Sequence, residues 1–330
     1  MASDSFFRDA TVIDGLDTSL WGSESVYRGL RDGGVTAINA TTSIWDDYET
    51  TLANVTRQLE WIDEFSEFIR PVRSIADIDA AKAEGRTGII FGWQNAAPIG
   101  NDLSRLRLFH ELGVRIIQLT YNERNLLGNG CYERVDEGLS RFGLAAVSEM
   151  NRLGILIDLS HVGDRTTLDA IEHSETPVAI THALARSQID HPRNKTDEAI
   201  RNLVARGGVI GANAFPMFFG RGFETTLEEF LDAIDYLVQM VGPDHVGIGT
   251  DFCMEQPREW FEWLFASQGM IPAENVAFTP HPYQHLVGFE SPASWHRLAE
   301  GLLDRNYPEA DVRAILGGNF YRLFSDVWKA

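Results

Sequence analysis

Gly154-Ile-Leu-Ile-Asp-Leu-Ser-His161 decides how this chain reads. A short apolar run starts at a glycine and stops on a side chain able to move a proton or hold a metal. The same pattern returns in Pro177-Val-Ala-Ile-Thr-His182 and His245-Val-Gly-Ile-Gly-Thr-Asp251. These runs are almost continuously apolar rather than alternating, so they predict strands buried on both faces, as in parallel sheets flanked by helices. Five further runs of this kind occur at Thr11–Asp14, Val35–Ala40, Gly88–Gln94, Val114–Tyr121 and Val209–Asn213. With Gly154–His161, Val178–His182 and Val246–Asp251 they make eight, and Pro71–Ser74 is a small extra strand outside the count.

Amphipathic stretches at Ser140–Leu153, Thr166–His173, Asp197–Ala205 and Glu224–Val241 lie between the strands. Thr196 can cap the third of these and Thr225 or Thr226 the fourth. Eight strands alternating with helices predict a single (β/α)8 TIM barrel over residues 1–330, since no composition break divides the chain. A long aromatic, proline-containing excursion over 253–291 follows the last strand and is expected to serve as a lid, a subunit contact or a packed surface segment.

A net charge of −20 without a local lysine or arginine cluster excludes nucleic acid and an anionic membrane surface as partners. No run reaches the roughly 18 apolar residues of a membrane helix, and the first residues lack the basic start of a signal peptide. Cys131 and Cys253 are the only cysteines and their spacing recommends no bridge. A reducing, cytoplasmic setting is expected.

In a barrel of parallel strands the chemistry sits where the strands end. Those ends carry Asp14 and Asp17, Asn39, Gln94, Tyr121-Asn122, His161, His182, Asn213 and Asp251. One histidine at a strand end is usually structural. Two histidines and an aspartate on one rim instead suggest a metallohydrolase-like site, with imidazoles holding a zinc-type ion and Asp251 as general base. Arg193 and Asn194 follow His182 in a loop, where the guanidinium fork suits either a substrate carboxylate or a surface ion pair. A carboxylated lysine bridging two metals is excluded, because Lys82, Lys195 and Lys329 all lie away from strand ends. His110, His173, His245 and His296 fall on helix or surface patterns, and His191, His281 and His285 fall in loops on the active side.

Several motifs occur in a specific order: Val12-Ile-Asp-Gly15, Gly138-Leu-Ser-Arg-Phe-Gly143, Glu149-Met-Asn-Arg-Leu-Gly154, Asp158-Leu-Ser-His161, Thr181-His182-Ala183, Arg193-Asn194, Gly247-Ile-Gly-Thr-Asp-Phe252 and Leu316-Gly-Gly-Asn-Phe320. Across nearly the whole chain they resemble the membrane (renal) dipeptidase family of metallopeptidases, peptidase family M19. The resemblance implies a metal-dependent (β/α)8 barrel, often dimeric, that cleaves dipeptides. It makes His161 and His182 ligands of one metal, Arg193 a contact for a substrate carboxylate and Asp251 the catalytic acid/base.

The departures are informative too. The family's Asp-Gly-His-Asn-Asp is here Asp14-Gly-Leu-Asp-Thr18, so Leu16 and Thr18 stand where two ligands of the other metal belong. Gln94 replaces the bridging carboxylate, and Tyr121 replaces the histidine expected to stabilise the tetrahedral intermediate. Gln94 and Asp17 remain as weak candidate ligands, and Tyr121 as an oxyanion donor. The expectation is a dipeptidase-like hydrolase with at most one zinc per chain, acting as a homodimer on a small carboxylate-bearing amide. The alternatives are a metal-free acid/base enzyme on a small anionic metabolite and a barrel without catalysis.

Overall fold

The computed structural model describes residues 2–267 and 282–329. The strands are β1 (Ile13–Asp17), β2 (Ala37–Ser43), β3 (Ile69–Pro71), β4 (Thr87–Trp93), β5 (Val114–Gln118), β6 (Leu156–Asp158), β7 (Ala179–Ala183), β8 (Val209–Asn213) and β9 (Val246–Gly249). All pairings between them are parallel, and β1, β2 and β4 through β9 close on themselves through the β1–β9 and β2–β4 pairs. The eight-stranded (β/α)8 barrel is therefore present. The extra strand lies at β3, two residues before the predicted Pro71–Ser74, and extends the edge of β4 through Ile69 opposite Thr87.

The four helices read from periodicity are present, with bounds shifted by at most three residues. Asp197–Ala205 is as expected, and the others run Arg141–Leu153, Asp164–His173 and Leu227–Val241. Thr226, not Thr225, caps the last one. Its hydroxyl accepts from the Glu229 amide at 3.4 Å while Glu229 accepts from the Thr226 amide at 2.9 Å, a reciprocal cap that satisfies two otherwise unpaired donors. The apolar face Ala146, Val147 and Met150 of Arg141–Leu153 is buried, and Gly154 at φ 76° ends that helix.

The two ends of the barrel differ. At the strands' N-terminal end Phe320, Phe324 and Val327 of the last helix, Asn319–Val327, pack under Ile13, Ile90, Ile116 and Leu156, closing the barrel floor. Higher up, backbone fills the interior. A Cβ at Gly211 or Gly249 would run into the carbonyl oxygen of Thr181 on β7, so these strands approach more closely than any side chain would allow. With floor and waist closed, only the C-terminal rim is open. No helix among the described residues is long and apolar enough to cross a membrane.

The excursion after β9 contributes a helix, Arg258–Phe265, whose neighbours in the fold include Phe215, Cys253 and Tyr283. Residues 268–281, including His281, lie outside the described residues. Cys131 and Cys253 are both free thiols.

Candidate active site

Two buried aspartates shape the rim. Asp158, the last residue of β6, accepts from the amide (3.0 Å) and hydroxyl (2.6 Å) of Ser160 and from the amide (3.0 Å) and hydroxyl (2.8 Å) of Thr181. It thereby fixes the turn that carries His161, three residues beyond the strand, and ties it to β7, where His182 sits. Asp14 does the same on the other side, accepting from the Thr250 amide at 2.8 Å and from its hydroxyl. The next amide, that of Asp251, donates to the Leu16 carbonyl at 3.0 Å, and Asp251 takes a left-handed φ of 55°. That conformation is uncommon outside glycine and turns the carboxylate off the strand direction.

The two imidazoles face each other with Nε2 atoms 3.1 Å apart. The hydrogen-bond network assigns their protons. Thr181 gives its only proton to Asp158, so it can only accept from His182 Nδ1 at 2.8 Å. His161 Nδ1 donates to the Asn122 amide oxygen at 2.7 Å. Both Nε2 atoms then carry lone pairs, 3.1 Å apart with no proton between them. Burial, with Arg193 and Lys195 close by, lowers both pKa values well below the ordinary imidazole value, so neither ring supplies a proton to share.

Two convergent lone pairs suit a cation. Zinc–nitrogen bonds of about 2.0–2.1 Å separate a pair of ligand nitrogens by about 3.1–3.4 Å. The family's second site is different, because Leu16 has no donor atom and the Thr18 hydroxyl is spent on the Phe252 carbonyl at 3.0 Å. Gln94 presents a neutral amide whose nitrogen donates to Thr41 at 3.1 Å. Among the described residues no group of three or more His, Cys, Asp and Glu side chains could hold a metal ion. The donor set fits one ion on two imidazoles and does not fit a pair.

A cavity of about 500 Å³ opens over this floor, lined by Thr18, Gln94, Tyr121, Asn122, Glu123, His161, His191, Asp251 and the aromatic rings of Tyr132, Phe215, Phe218, Trp260 and Phe265. Tyr121 stacks on His161 with centroids 4.0 Å apart and is braced edge-on by Trp45 at 4.7 Å. Burial, then the charge of Asp251, holds its phenol well above the ordinary value, so it keeps its proton as a donor. Asp251 is pushed up to about 6 by burial, against the opposing pull of Arg193 and of a 3.4 Å hydrogen bond from Asn213 to Oδ2.

His182, Arg193, Asn194 and Asp17, expected at the site, are buried and do not line the cavity, and neither does His285, to which no role was assigned. Arg193 is 1% exposed and does not line the cavity. Its Nη1 donates to the Ser160 carbonyl at 2.6 Å and its Nη2 to the His182 carbonyl at 2.7 Å, so the fork holds two strand ends, while its buried Nε has no partner among the described residues. Asn194 is turned into its own loop, donating to the Ile189 carbonyl at 2.9 Å and accepting from the Leu184 amide at 3.3 Å. His285 is buried against Phe252 and Tyr283.

Asp17 is fully buried beside β9, with Oδ1 accepting from the Ser19 amide at 2.7 Å and Oδ2 without a partner among the described residues. Burial, and to a smaller extent Asp251, raises its pKa to about 7. The folded chain therefore holds a proton here that the unfolded chain has already lost, and this contribution to stability disappears as pH rises through 7. Asp17→Asn is expected to melt a few degrees above the parent at pH 8, with the margin shrinking as pH falls from 7 toward 4, as read by thermal unfolding. A difference independent of pH would show that Asp17 is charged throughout.

Sequence reading missed Asp158, Thr181 and Asn122 as the groups that set the imidazole protons. The Asp-x-Ser-His spacing held that signal, since an aspartate accepting from the amide two residues on is a common turn. It also left His191 without a role. The Arg193 amide donates to His191 Nδ1 at 3.1 Å, leaving Nε2–H as the free donor on the cavity wall.

The family model for membrane dipeptidase, peptidase family M19, matches residues 20–263. The chain is 31% identical over 223 residues to the uncharacterized dipeptidase C965.12 of Schizosaccharomyces pombe, covering 63% of this chain and 54% of that protein. It is 29% identical over 274 residues to dipeptidase aclJ of Aspergillus oryzae, covering 81% and 58%. It thus spans a little over half the length of these curated relatives. Among solved structures, an amidohydrolase from Pseudomonas aeruginosa is 39% identical, covers 99% of both chains and superposes with a TM-score of 0.94. A Rhodobacter sphaeroides metallopeptidase, liganded with a phosphinate mimic of L-Ala-D-Ala, shares the fold at TM-score 0.81 and 22% identity, over 97% of this chain and 100% of that one. With the barrel, the ordered motifs and a match across most of its length, the chain belongs to the membrane dipeptidase family, M19.

Proposed function

We propose that the protein is a metal-dependent hydrolase of a small amide or peptide-like substrate, working with one divalent ion, zinc, on His161 and His182. The observation that carries this reading is the pair of imidazoles with Nε2 atoms 3.1 Å apart, of which His161 lines the same cavity as Asp251 and His182 lies buried beside it. An ion held there supplies Lewis-acid polarisation of a carbonyl and makes water easier to deprotonate. The chain's own groups do the rest. Asp251 Oδ1, which has no partner among the described residues, takes the proton of the attacking water and returns it to the leaving amine. The Tyr121 hydroxyl donates to the oxygen that gains charge as the carbonyl is attacked. The aromatic walls exclude bulk water around these polar groups and strengthen them.

The test is the metal-to-chain ratio by elemental mass spectrometry on protein purified without chelator, followed by zinc loading and an amide panel. A ratio near one that falls to zero in both His161→Ala and His182→Ala is expected. A ratio that stays at zero after zinc or manganese is supplied would move the assignment to metal-free acid/base chemistry.

The pH profile is a second expected result. Asp251 must be ionised to accept a proton, and its pKa sits at about 6, so kcat/KM should rise through about pH 6 on the acidic side rather than near 4. A flat profile from pH 5 to 7 would remove Asp251 from the base role.

A further inference from the structure

We propose that a second cavity beside the first is an acyl-side subsite, and that the substrate is an N-acyl dipeptide or longer peptide whose added group is an uncharged ring. This rests on the hydrolase reading above and names its substrate class. The second cavity, of about 360 Å³, lies over the ends of β1 and β2, across the barrel from β6 and β7, where the imidazoles stand. Thr18, Ile44 and Trp260 line both cavities, so only these side chains stand between them. All three are uncharged. Thr18 stands where the family has a metal-binding acid, and its hydroxyl is held by the Phe252 carbonyl at 3.0 Å, so no carboxylate bars an apolar group from reaching across.

Indole and amide surfaces define what the second cavity takes. Trp21, Trp61, Trp260 and Trp263 line it, and Trp263 is 41% exposed, a large ring without full cover. Such rings offer flat apolar faces on which another ring stacks. Gln58, on the buried face of the helix Tyr48–Glu64, lines the cavity and is only 3% exposed, yet its side-chain amide makes no hydrogen bond among the described residues. Buried amides are almost always paired. A peptide group supplies both the donor and the acceptor that this one lacks. Asp46 and Arg57 add one acid and one base, so the lining carries no formal net charge and suits an uncharged group. The direction of the substrate follows from the cations. Arg193 and Lys195 are buried beside the imidazoles, so an acidic end is drawn toward β7 and the amino end faces the second cavity.

Three matched probes test the proposal: Ala-Ala, N-acetyl-Ala-Ala and N-phenylacetyl-Ala-Ala, which add first the amide and then the ring. Binding is measured by calorimetry on the Asp251→Asn variant supplied with zinc, and hydrolysis separately on the parent under the same conditions. Relative to Ala-Ala, the acetyl probe is expected to bind about threefold and the phenylacetyl probe about tenfold more tightly, with kcat/KM in the same order. Trp263→Ala, at a partly exposed position whose loss the fold tolerates, should weaken the phenylacetyl probe about threefold to tenfold and leave Ala-Ala unchanged. Gln58→Leu should weaken both acyl probes and leave Ala-Ala unchanged. Acyl probes that bind no better than Ala-Ala overturn the proposal, as does an equal effect of Trp263→Ala on all three or failure of all three to bind at millimolar concentration. The expected binding order with no hydrolysis under any metal would sink the hydrolase reading alone. Faster hydrolysis of Ala-Ala than of either acyl probe would keep the hydrolase and sink this inference.

Discussion

Asp251→Asn is expected to lower kcat/KM by about 10³-fold while the protein keeps its fold. Asparagine is the right replacement for two structural reasons. The residue sits at φ 55°, a conformation that asparagine tolerates and most other side chains do not, and the variant amide oxygen can still accept from Asn213. The change also removes a buried charge, so thermal stability should hold or rise. Asp251→Ala would confound lost chemistry with backbone strain. Turnover within a few-fold of the parent, measured by product release on the best amide of the panel, would show that another group moves the proton.

Arg193→Met is expected to cost roughly 3–6 kcal/mol, because two charge-assisted hydrogen bonds of about 1.5–3 kcal/mol each are lost inside the protein. The loss reaches the site directly. The two carbonyls belong to His182 and to the residue before His161, so the strand ends that aim the imidazoles are no longer held together. Zinc affinity should fall along with the melting temperature, and Arg193→Lys, with one compact ammonium, should restore only part of either. A residue that merely gripped substrate would behave otherwise, with stability and zinc affinity kept and KM for free-acid dipeptides raised. Denaturant unfolding together with zinc titration separates the two roles.

The parts of this protein written in local sequence were legible. Strands buried on both faces leave continuous apolar runs, so all eight barrel strands could be read, as could four of the helices between them. What could not be read depends on partners distant in sequence. Arg193 follows His182 closely, and nothing local distinguishes a fork pointing into the cavity from one turned back onto two carbonyls. Asp251 was readable as a polar strand end, but its left-handed turn is imposed by β1, whose Asp14 and Leu16 come more than 230 residues earlier. Thr225 and Thr226 were equivalent as caps until register chose one. The family resemblance named His161 and His182, and the hydrogen bonds through Thr181 and Asn122 show why both rings are bare of protons where they meet.

Gly211 and Gly249, pressed against the Thr181 carbonyl, set a limit on how this protein can change. Every single-base change in a glycine codon that alters the residue adds a Cβ or stops the chain, and at these two positions a Cβ meets main chain that cannot step aside. Natural variation is therefore barred from the waist of the barrel, however strong the selection. New specificities in descendants of this gene have to be written in the loops above it, and a laboratory library should spend its diversity there.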